Sequence, residues 1–222
     1  PMIKLHYLDN SRAHRILWLL EELGLEYEVE IYHRGSDMRG PDSLKAVHPL
    51  GKSPIIEDGD RVIAESGAIV EYLVETYGGD ELRPAGGDER LRYSYWLHYA
   101  EGSAMPLLLL KLIFARLPGQ VLWFLKAPAA LICKGVSRTL VEPQLRDHIR
   151  FWNGELARDG WFAGKNFSAA DIMMSFPVET AASRIDEAKA LGAIRSYLAA
   201  IRARPAYQRA LARGGAYVYA ES

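Results

Sequence analysis

The sequence predicts a small α/β unit followed by an all-helical domain. Alternating strand runs and helical runs succeed one another in the order β-α-β-α-β-β-α up to Gly78. Strand patterning then nearly stops, and helical periodicity continues to the end of the chain. Between the two textures lies "GGDELRPAGGDER", rich in glycine, charge and proline, which reads as a linker.

The elements follow in order. "MIKLHYL" alternates apolar and polar residues before a turn-like "DNS", so it reads as a strand. From Ala13 the apolar positions Ala13, Ile16, Leu17, Leu20 and Leu23 have helical spacing, with Gly24 as the stop. "YEVEIYH" alternates again and gives a second strand. Residues 34–47 read as a loop with a short helix at "PDSLKAV". "SPIIEDGDRVIAES" gives two strands around an Asp58-Gly59 turn. "ESGAIVEYLVETYGG" is helical, with Ile69, Leu73 and Tyr77 in one row. The first two strands are parallel and need their helical crossover, whereas the hairpin closes the sheet antiparallel. The second half reads as helices from "ERLRYSYWLHYAEG" through "AYQRALARG", with no internal repeat.

Composition narrows the function classes. The chain has 222 residues, 49% hydrophobic and 25% charged, an ordinary globular mix with enough chain for a sizeable core. Twenty-seven basic residues stand against 28 acidic ones, and no basic run stands out, so no nucleic-acid partner is expected. The lone Cys133 cannot form an internal disulfide and is expected to be buried and inert. "PMIKLHYLDN" has neither a long apolar run nor a cleavage site, and a cytoplasmic location is the expectation. The six histidines show no ligand spacing, so no metal is expected. One segment, Met105 to Gly135, is strongly apolar. Lys111, Arg116, Lys126 and the Pro118-Gly119 pair interrupt it before the ~20 residues a spanning helix needs. The plainer reading is a buried helix plus an apolar loop. The sharper one is a surface that touches lipid or lines a hydrophobic pocket.

Three motifs carry chemistry. In "HPLGKSPII", Pro54 opens a strand, and a cis bond at Ser53–Pro54 would turn the Ser53 backbone outward to pair with an extended peptide. In "AESGAIVEYL", Ser66 sits at a helix start, where backbone N–H groups and the helix dipole favour a carboxylate, and Glu65 suits the neighbouring amino group. A plain N-cap is the alternative for Ser66. In "NFSAADIMMSF", Ser168 and Asp171 form a capping-box pattern with Phe167 as a staple, which is a structural role.

Taken together, "HPLGKSPII", "ESGAIVEYL" and "FSAADI" give the chain a resemblance to the cytosolic glutathione transferases over nearly its whole length, most of all to bacterial and fungal members. The resemblance implies a thioredoxin-like glutathione-binding domain over 1–78, a linker over 79–88 and an all-helical C-terminal domain over 89–222. It implies a cis Ser53–Pro54 bond, with the Ser53 backbone on the cysteinyl part of glutathione. Glu65 and Ser66 would hold the γ-glutamyl end, with Lys52 and His48 near the glycine carboxylate. It also implies a homodimer, and conjugation of glutathione to hydrophobic electrophiles as a detoxification reaction, with glutathione-dependent peroxidase activity as a further reaction. The electrophile would lie between the domains, against Arg12, Tyr99, Met105 and Leu109. A non-catalytic binding protein on the same fold is the competing reading.

Such chemistry needs a thiolate, and a free thiol with a pKa of ~8.5 is mostly protonated at neutral pH. Two hydroxyls stand near the first helix, Tyr7 and Ser11. Ser11 lies two residues before Ala13, where its hydroxyl can donate to a sulfur above the first helical turn. Its place is like that of the family's serine-type residue, and Arg15 matches a recurrent arginine. Tyr7 takes a place like the tyrosine-type residue. Ser11 is favoured, with Tyr7 and Asn10 as alternatives; capping of the helix by Ser11 is the plain reading and is compatible with the other.

Overall fold

The computed structural model describes residues 2–35 and 39–221. It opens with strand β1 (Ile3–Leu8), helix α1 (Ala13–Glu22) and strand β2 (Tyr27–Tyr32). A short helix α2 (Ser43–Val47) leads to the hairpin β3 (Ile55–Asp58) and β4 (Arg61–Ala64), and helix α3 (Ser66–Thr76) completes the unit. The sheet order is β2-β1-β3-β4. β1 and β2 run parallel with Ile3 beside Tyr27, and β3 runs antiparallel to both β1 and β4. The hairpin reverses at Gly59 and Asp60, one residue later than the sequence suggested, with Gly59 at φ 59°.

The helical half comprises α4 (Gly87–Tyr99), α5 (Met105–Arg116), α6 (Lys126–Val136), α7 (Glu142–Asp159), α8 (Ala169–Arg184), α9 (Asp186–Ala190), α10 (Gly192–Arg202) and α11 (Pro205–Arg213). Widened π-type turns at Ala100–Ala104 and Ser137–Val141 join α4 to α5 and α6 to α7. These two long rods form a hairpin whose far end is the turn around Trp123.

α1 explains why the two halves share one core. An ordinary surface helix buries one stripe, but Ala13 through Glu21 are all buried. One side packs on β1 and α3, the other on α8 and α11. Gly24, at φ 63°, ends the helix in the left-handed conformation that glycine adopts without a side-chain clash. α8 is likewise covered on every side from Ala169 to Ala182. Its start is the capping box foreseen in the sequence. Asp171 accepts hydrogen bonds from the Ser168 and Phe162 backbone N–H groups, each at 2.8 Å, and the Ser168 side chain accepts from the N–H of Asp171.

The chain's last residues return across the end of β1. Asn10 N–H donates to the Ala216 carbonyl at 2.8 Å, Ala216 N–H donates to Asp9 Oδ1 at 3.1 Å, and Val218 N–H donates to Asn10 Oδ1 at 2.9 Å. The approach is close enough that a Cβ on Gly215 would lie 2.5 Å from Asp9 Oδ1. Tyr217 stacks on the buried His14 at 4.1 Å, and its hydroxyl and that of Tyr207 each donate to Glu179 at 2.5 Å.

The apolar segment departs from its plainer reading. Only Met105, Leu107 and Leu108 of α5 are buried, and the tip beyond is largely exposed. Cys133 is buried, as expected. Among the described residues no helix is long and apolar enough to cross a membrane.

Two stability experiments follow. Asp171→Ala strands two buried backbone donors and is expected to lower the unfolding free energy by about 3 kcal/mol in urea titration, with Asp171→Asn milder because one acceptor oxygen remains. Burial pushes the Glu179 carboxyl up to about 7, against the pull of its two tyrosine donors. An unfolded glutamate titrates near ~4.3, so the folded state holds the extra proton between that value and about 7. This contribution is complete at low pH and is lost as pH rises through 7. Stability measured from pH 4 to 8 is therefore expected to fall less with rising pH in Glu179→Gln than in the native protein.

Candidate functional site

Strand direction gathers the chemistry-bearing residues at one end of the sheet. β1 ends at Leu8, and Asn10, Ser11 and Arg12 follow it. β2 ends at Tyr32, and His33 and Arg34 follow. β3 is antiparallel, so Ser53 and Pro54, which precede it, lie at the same end. β4 is antiparallel to β3, which brings Glu65 and Ser66 there too. The ladder fixes this arrangement, with His6 beside Ile55 and Ile55 beside Ala64. Ligands bind outside the carboxyl ends of parallel strands in open α/β sheets for this topological reason.

A cleft of about 1060 Å³ opens over this end, between the sheet and the helical half. Ser11, Lys52 and Ser53 lie on the sheet side. Met105, Leu108, Leu109, Leu112 and Phe176 form the opposite, apolar wall. The lining is strongly cationic: Arg12, Arg34, Arg39, Lys45, Lys52, Arg116 and Arg184 against Asp42 among the described residues. Asp42 is itself paired with Lys45 at 2.8 Å. Such a cleft favours an anionic occupant.

Ser11 is nearly buried, with its oxygen accepting the Ala13 backbone N–H at 3.1 Å. α1 begins at Ala13, so this bond satisfies one of the donors at the helix start. An oxygen already receiving a hydrogen bond is polarised, and its own O–H finds no acceptor among the described residues. It stands on the cleft as a donor at a helix N-terminus.

The Ser53–Pro54 peptide bond is cis. The Ser53 hydroxyl donates to the His6 carbonyl at 2.8 Å and accepts the Leu8 N–H at 3.1 Å. Its side chain is thus occupied in holding the loop to β1, and what it offers to a ligand is its main chain. Glu65 has φ 73° and ψ 120°, a conformation that costs about 1–3 kcal/mol for a residue with a side chain. Such strain persists where the surroundings impose it. Ser66 is the first residue of α3, not its N-cap as the sequence suggested, and its side chain is buried.

Pro54, Glu65 and Ser66 lie at the sheet end but outside the cleft lining, and three further predicted site residues stand elsewhere. Tyr7 is fully buried beneath the chain's last residues, its hydroxyl directed to the Gly215 carbonyl at 3.5 Å. Burial, with the Asp9 carboxylate adding to it, raises its phenol well above the ordinary value. Tyr99 does not line the cleft: it packs among Trp96, Phe151 and His148, hydrogen-bonds His148 and accepts from Trp152 at 2.9 Å. Its position on α4 faces the helical core. His48 is absent from the cleft lining, its Nδ1 accepting the Leu50 N–H at 3.4 Å. Arg12, Met105 and Leu109 do line it.

Sequence reasoning missed the link beneath the site. Arg15 is wholly buried and donates to Glu101 at 2.5 Å, and the other oxygen of Glu101 lies 3.1 Å from Arg12 Nε. Burial alone would raise the Glu101 carboxyl, but the Arg15 and Arg12 charges outweigh it and hold it below the usual range. Glu101 lies in the π-type turn, 86 positions from Arg15, so no local pattern marks the pair. Nor does any local signal place Phe176, Arg184, Val218 and Tyr219 on the cleft.

Comparison with known proteins agrees with this geometry. Residues 1–75 match the family model for the glutathione S-transferase N-terminal domain. The chain is 35% identical to glutathione S-transferase 1 of Saccharomyces cerevisiae over 193 residues, 83% of this chain and 82% of the relative. The chain belongs to the glutathione transferase family. A second relative, glutathione S-transferase 3 of Schizosaccharomyces pombe, is 33% identical over 92% of this chain and 85% of its own length. A crystal structure of a glutathione S-transferase from Actinobacillus pleuropneumoniae superposes with a TM-score of 0.79 at 32% identity, covering 100% of this chain and 97% of that one. The chain is thus a glutathione transferase enzyme, with the family's mixed four-stranded unit followed by a mostly helical remainder.

The Arg15–Glu101 pair yields a test of what holds the site. Glu101→Ala leaves a guanidinium charge buried without its counter-ion and is expected to cost about 3 kcal/mol in denaturant unfolding. Glu101→Gln, which keeps an acceptor for Arg15, is expected to fall between the two.

Proposed function

We propose that the protein binds glutathione across the sheet end, converts its thiol to a thiolate with the Ser11 hydroxyl, and transfers it to small apolar electrophiles. The observation that carries this reading is the Ser11 hydroxyl itself, a donor without an acceptor among the described residues, on the cleft at the start of α1. Lowering a thiol pKa by about two units takes ~2.7 kcal/mol. One hydrogen bond to a charged group supplies ~1.5–3 kcal/mol, and a helix N-terminus adds ~0.3–1 kcal/mol. A single donor at a helix start is therefore sufficient, and it keeps its proton, so no general base is required.

In this reading glutathione lies as an added strand along Ser53, its cysteinyl main chain pairing with the Ser53 backbone. Its γ-glutamyl carboxylate meets the N-terminus of α3 at Ser66, and Glu65 accepts from the α-amino group. Lys52, with Lys45 and Arg39, provides charge for the glycine carboxylate, a part for which His48 is poorly sited. Two solved structures whose descriptions name bound glutathione, from Lodderomyces elongisporus and Pseudomonas fluorescens, share the fold. The electrophile occupies the wall of Met105, Leu109 and Phe176, with Arg12 beside Ser11. Reduction of hydroperoxides by the same thiolate is a second reaction that this site allows.

Residues 1–78 then act as the glutathione-binding unit and 89–222 as the electrophile-binding unit. We further assign a homodimer. The exposed side chains of Leu91 and Tyr95 on α4 and Val62 on β4 are the support for an interface along that side.

The test is an ultraviolet pH titration of the bound thiol. The native protein is expected to show thiolate absorption with a pKa about two units below the free value, and Ser11→Ala to return it toward ~8.5. Tyr7→Phe is expected to leave it unchanged. Bound glutathione titrating at its free value in the native protein would sink the reading.

A further inference from the structure

The hairpin tip is unlike the rest of the surface. Beyond Leu108 the chain exposes large apolar side chains: Trp123 is 81% exposed, Leu131 75%, Ile132 65% and Leu122 64%. Phe124 is also open, and its ring lies 5.8 Å from that of Trp123, edge to face, so the two form one knob. The charge in this region has one sign. Lys111, Arg116, Lys126, Lys134 and Arg138 lie between Glu101 and Glu142, and no Asp or Glu lies between those two. In a chain with 27 basic and 28 acidic residues, this segregation concentrates cations where the apolar side chains are exposed.

We propose that the tip is a membrane-contact element that seats on an anionic lipid surface. Trp123, Phe124 and Leu122 would enter the boundary between headgroups and acyl chains, with Leu131 and Ile132 beside them. Lys126, Lys134 and Arg138 would meet the lipid phosphates and acidic headgroups. An interfacial element needs aromatic and aliphatic side chains interleaved with Lys and Arg, and it needs no length to span. Lys111 is already paired with Glu142 at 3.3 Å. A second copy seated on the same patch is disfavoured by charge, since a two-fold contact would set Lys126, Lys134 and Arg138 against their own copies, and none of these three has a carboxylate partner among the described residues. A lipid surface satisfies both features at once, because it presents negative charge in front of an apolar interior.

The tip is continuous with the cleft. Leu109, Leu112 and Arg116 of α5 line it, and the next residues, from Leu117, lead into the exposed turns. Docking would therefore hold the cleft near the lipid, where apolar electrophiles concentrate. That consequence rests on the function proposed above, whereas the docking itself does not.

Flotation of the full chain with vesicles tests it, using phosphatidylcholine alone and with about 30% phosphatidylserine. The protein is expected to float with the anionic vesicles at low salt and to be released as salt is raised, with little retention on neutral ones. The double variant Trp123→Ser with Phe124→Ser is expected to lose about tenfold in bound fraction while conjugating glutathione in solution as before. These side chains are exposed, so circular dichroism should report an unchanged fold. A protein that floats but conjugates nothing supports the docking and counts only against the catalytic reading. Native protein remaining wholly in the soluble fraction with anionic vesicles overturns the proposal, as does equal flotation of the variant. A change in sedimentation-velocity mass on tip substitution, without flotation, would assign the tip to a protein contact and overturn it as well.

Discussion

Arg15 is buried to zero exposure, and a guanidinium in that position is stable only with a counter-charge against it. Glu101 is that counter-charge, and it reaches Arg12 with its second oxygen. The two arginines belong to the start of α1, the carboxylate to the turn between α4 and α5. One carboxylate thus joins the sheet unit to the helical half at the point where the cleft begins. Ser11 precedes both arginines, so its position on the cleft depends on a helix start fixed from below. Arg15 also lies over the Phe176 ring at 5.2 Å, which ties the same anchor to the apolar wall.

This arrangement separates two demands. A site for an anionic peptide wants cations near water, where their charge acts on the ligand without a large desolvation cost. A packed junction wants its charges matched and dry. Lys45, Lys52 and Arg116 stand on the cleft, where the first demand places cations, and Arg15 with Glu101 is packed beneath it as the second requires. Arg12 bridges them, since it lines the cleft and still contacts Glu101. A wall of apolar residues faces the cationic side, so a ligand with a charged end and an apolar end is the kind the cleft can hold whole.

Much of this was legible in the sequence wherever the determinant is local. Strand alternation, the hairpin and the stop at Gly24 follow from a few adjacent residues, and so does the Ser168–Asp171 box. The two motifs at the sheet end, around Ser53–Pro54 and Glu65–Ser66, were legible as well, because strand order carries them to one place regardless of side-chain packing. What could not be read is which face of a helix meets the cleft. Tyr99 is a lining candidate only through the family resemblance, and it turns inward, where Trp152 and His148 offer its hydroxyl partners in the core. The apolar run after Met105 reads in the sequence as a buried helix plus an apolar loop, or as an exposed surface, but burial needs cover on every side, and α5 buries only Met105, Leu107 and Leu108.

The choice between the two hydroxyls has the same character. Tyr7 and Ser11 are four residues apart, and both stand beside a helix start in the sequence. What separates them is a segment more than 200 positions away. The returning chain hydrogen-bonds Asp9 and Asn10, lays Gly214 and Gly215 against the Tyr7 ring, and closes that phenol off from the cleft. A tyrosine could reach a sulfur only if this cover were missing. With it in place, the phenol is desolvated and its hydroxyl faces a backbone carbonyl, while Ser11, one step further along, is left on the open side. The segment around Gly214 and Gly215 thus leaves Ser11, and not Tyr7, on the cleft, by covering the phenol.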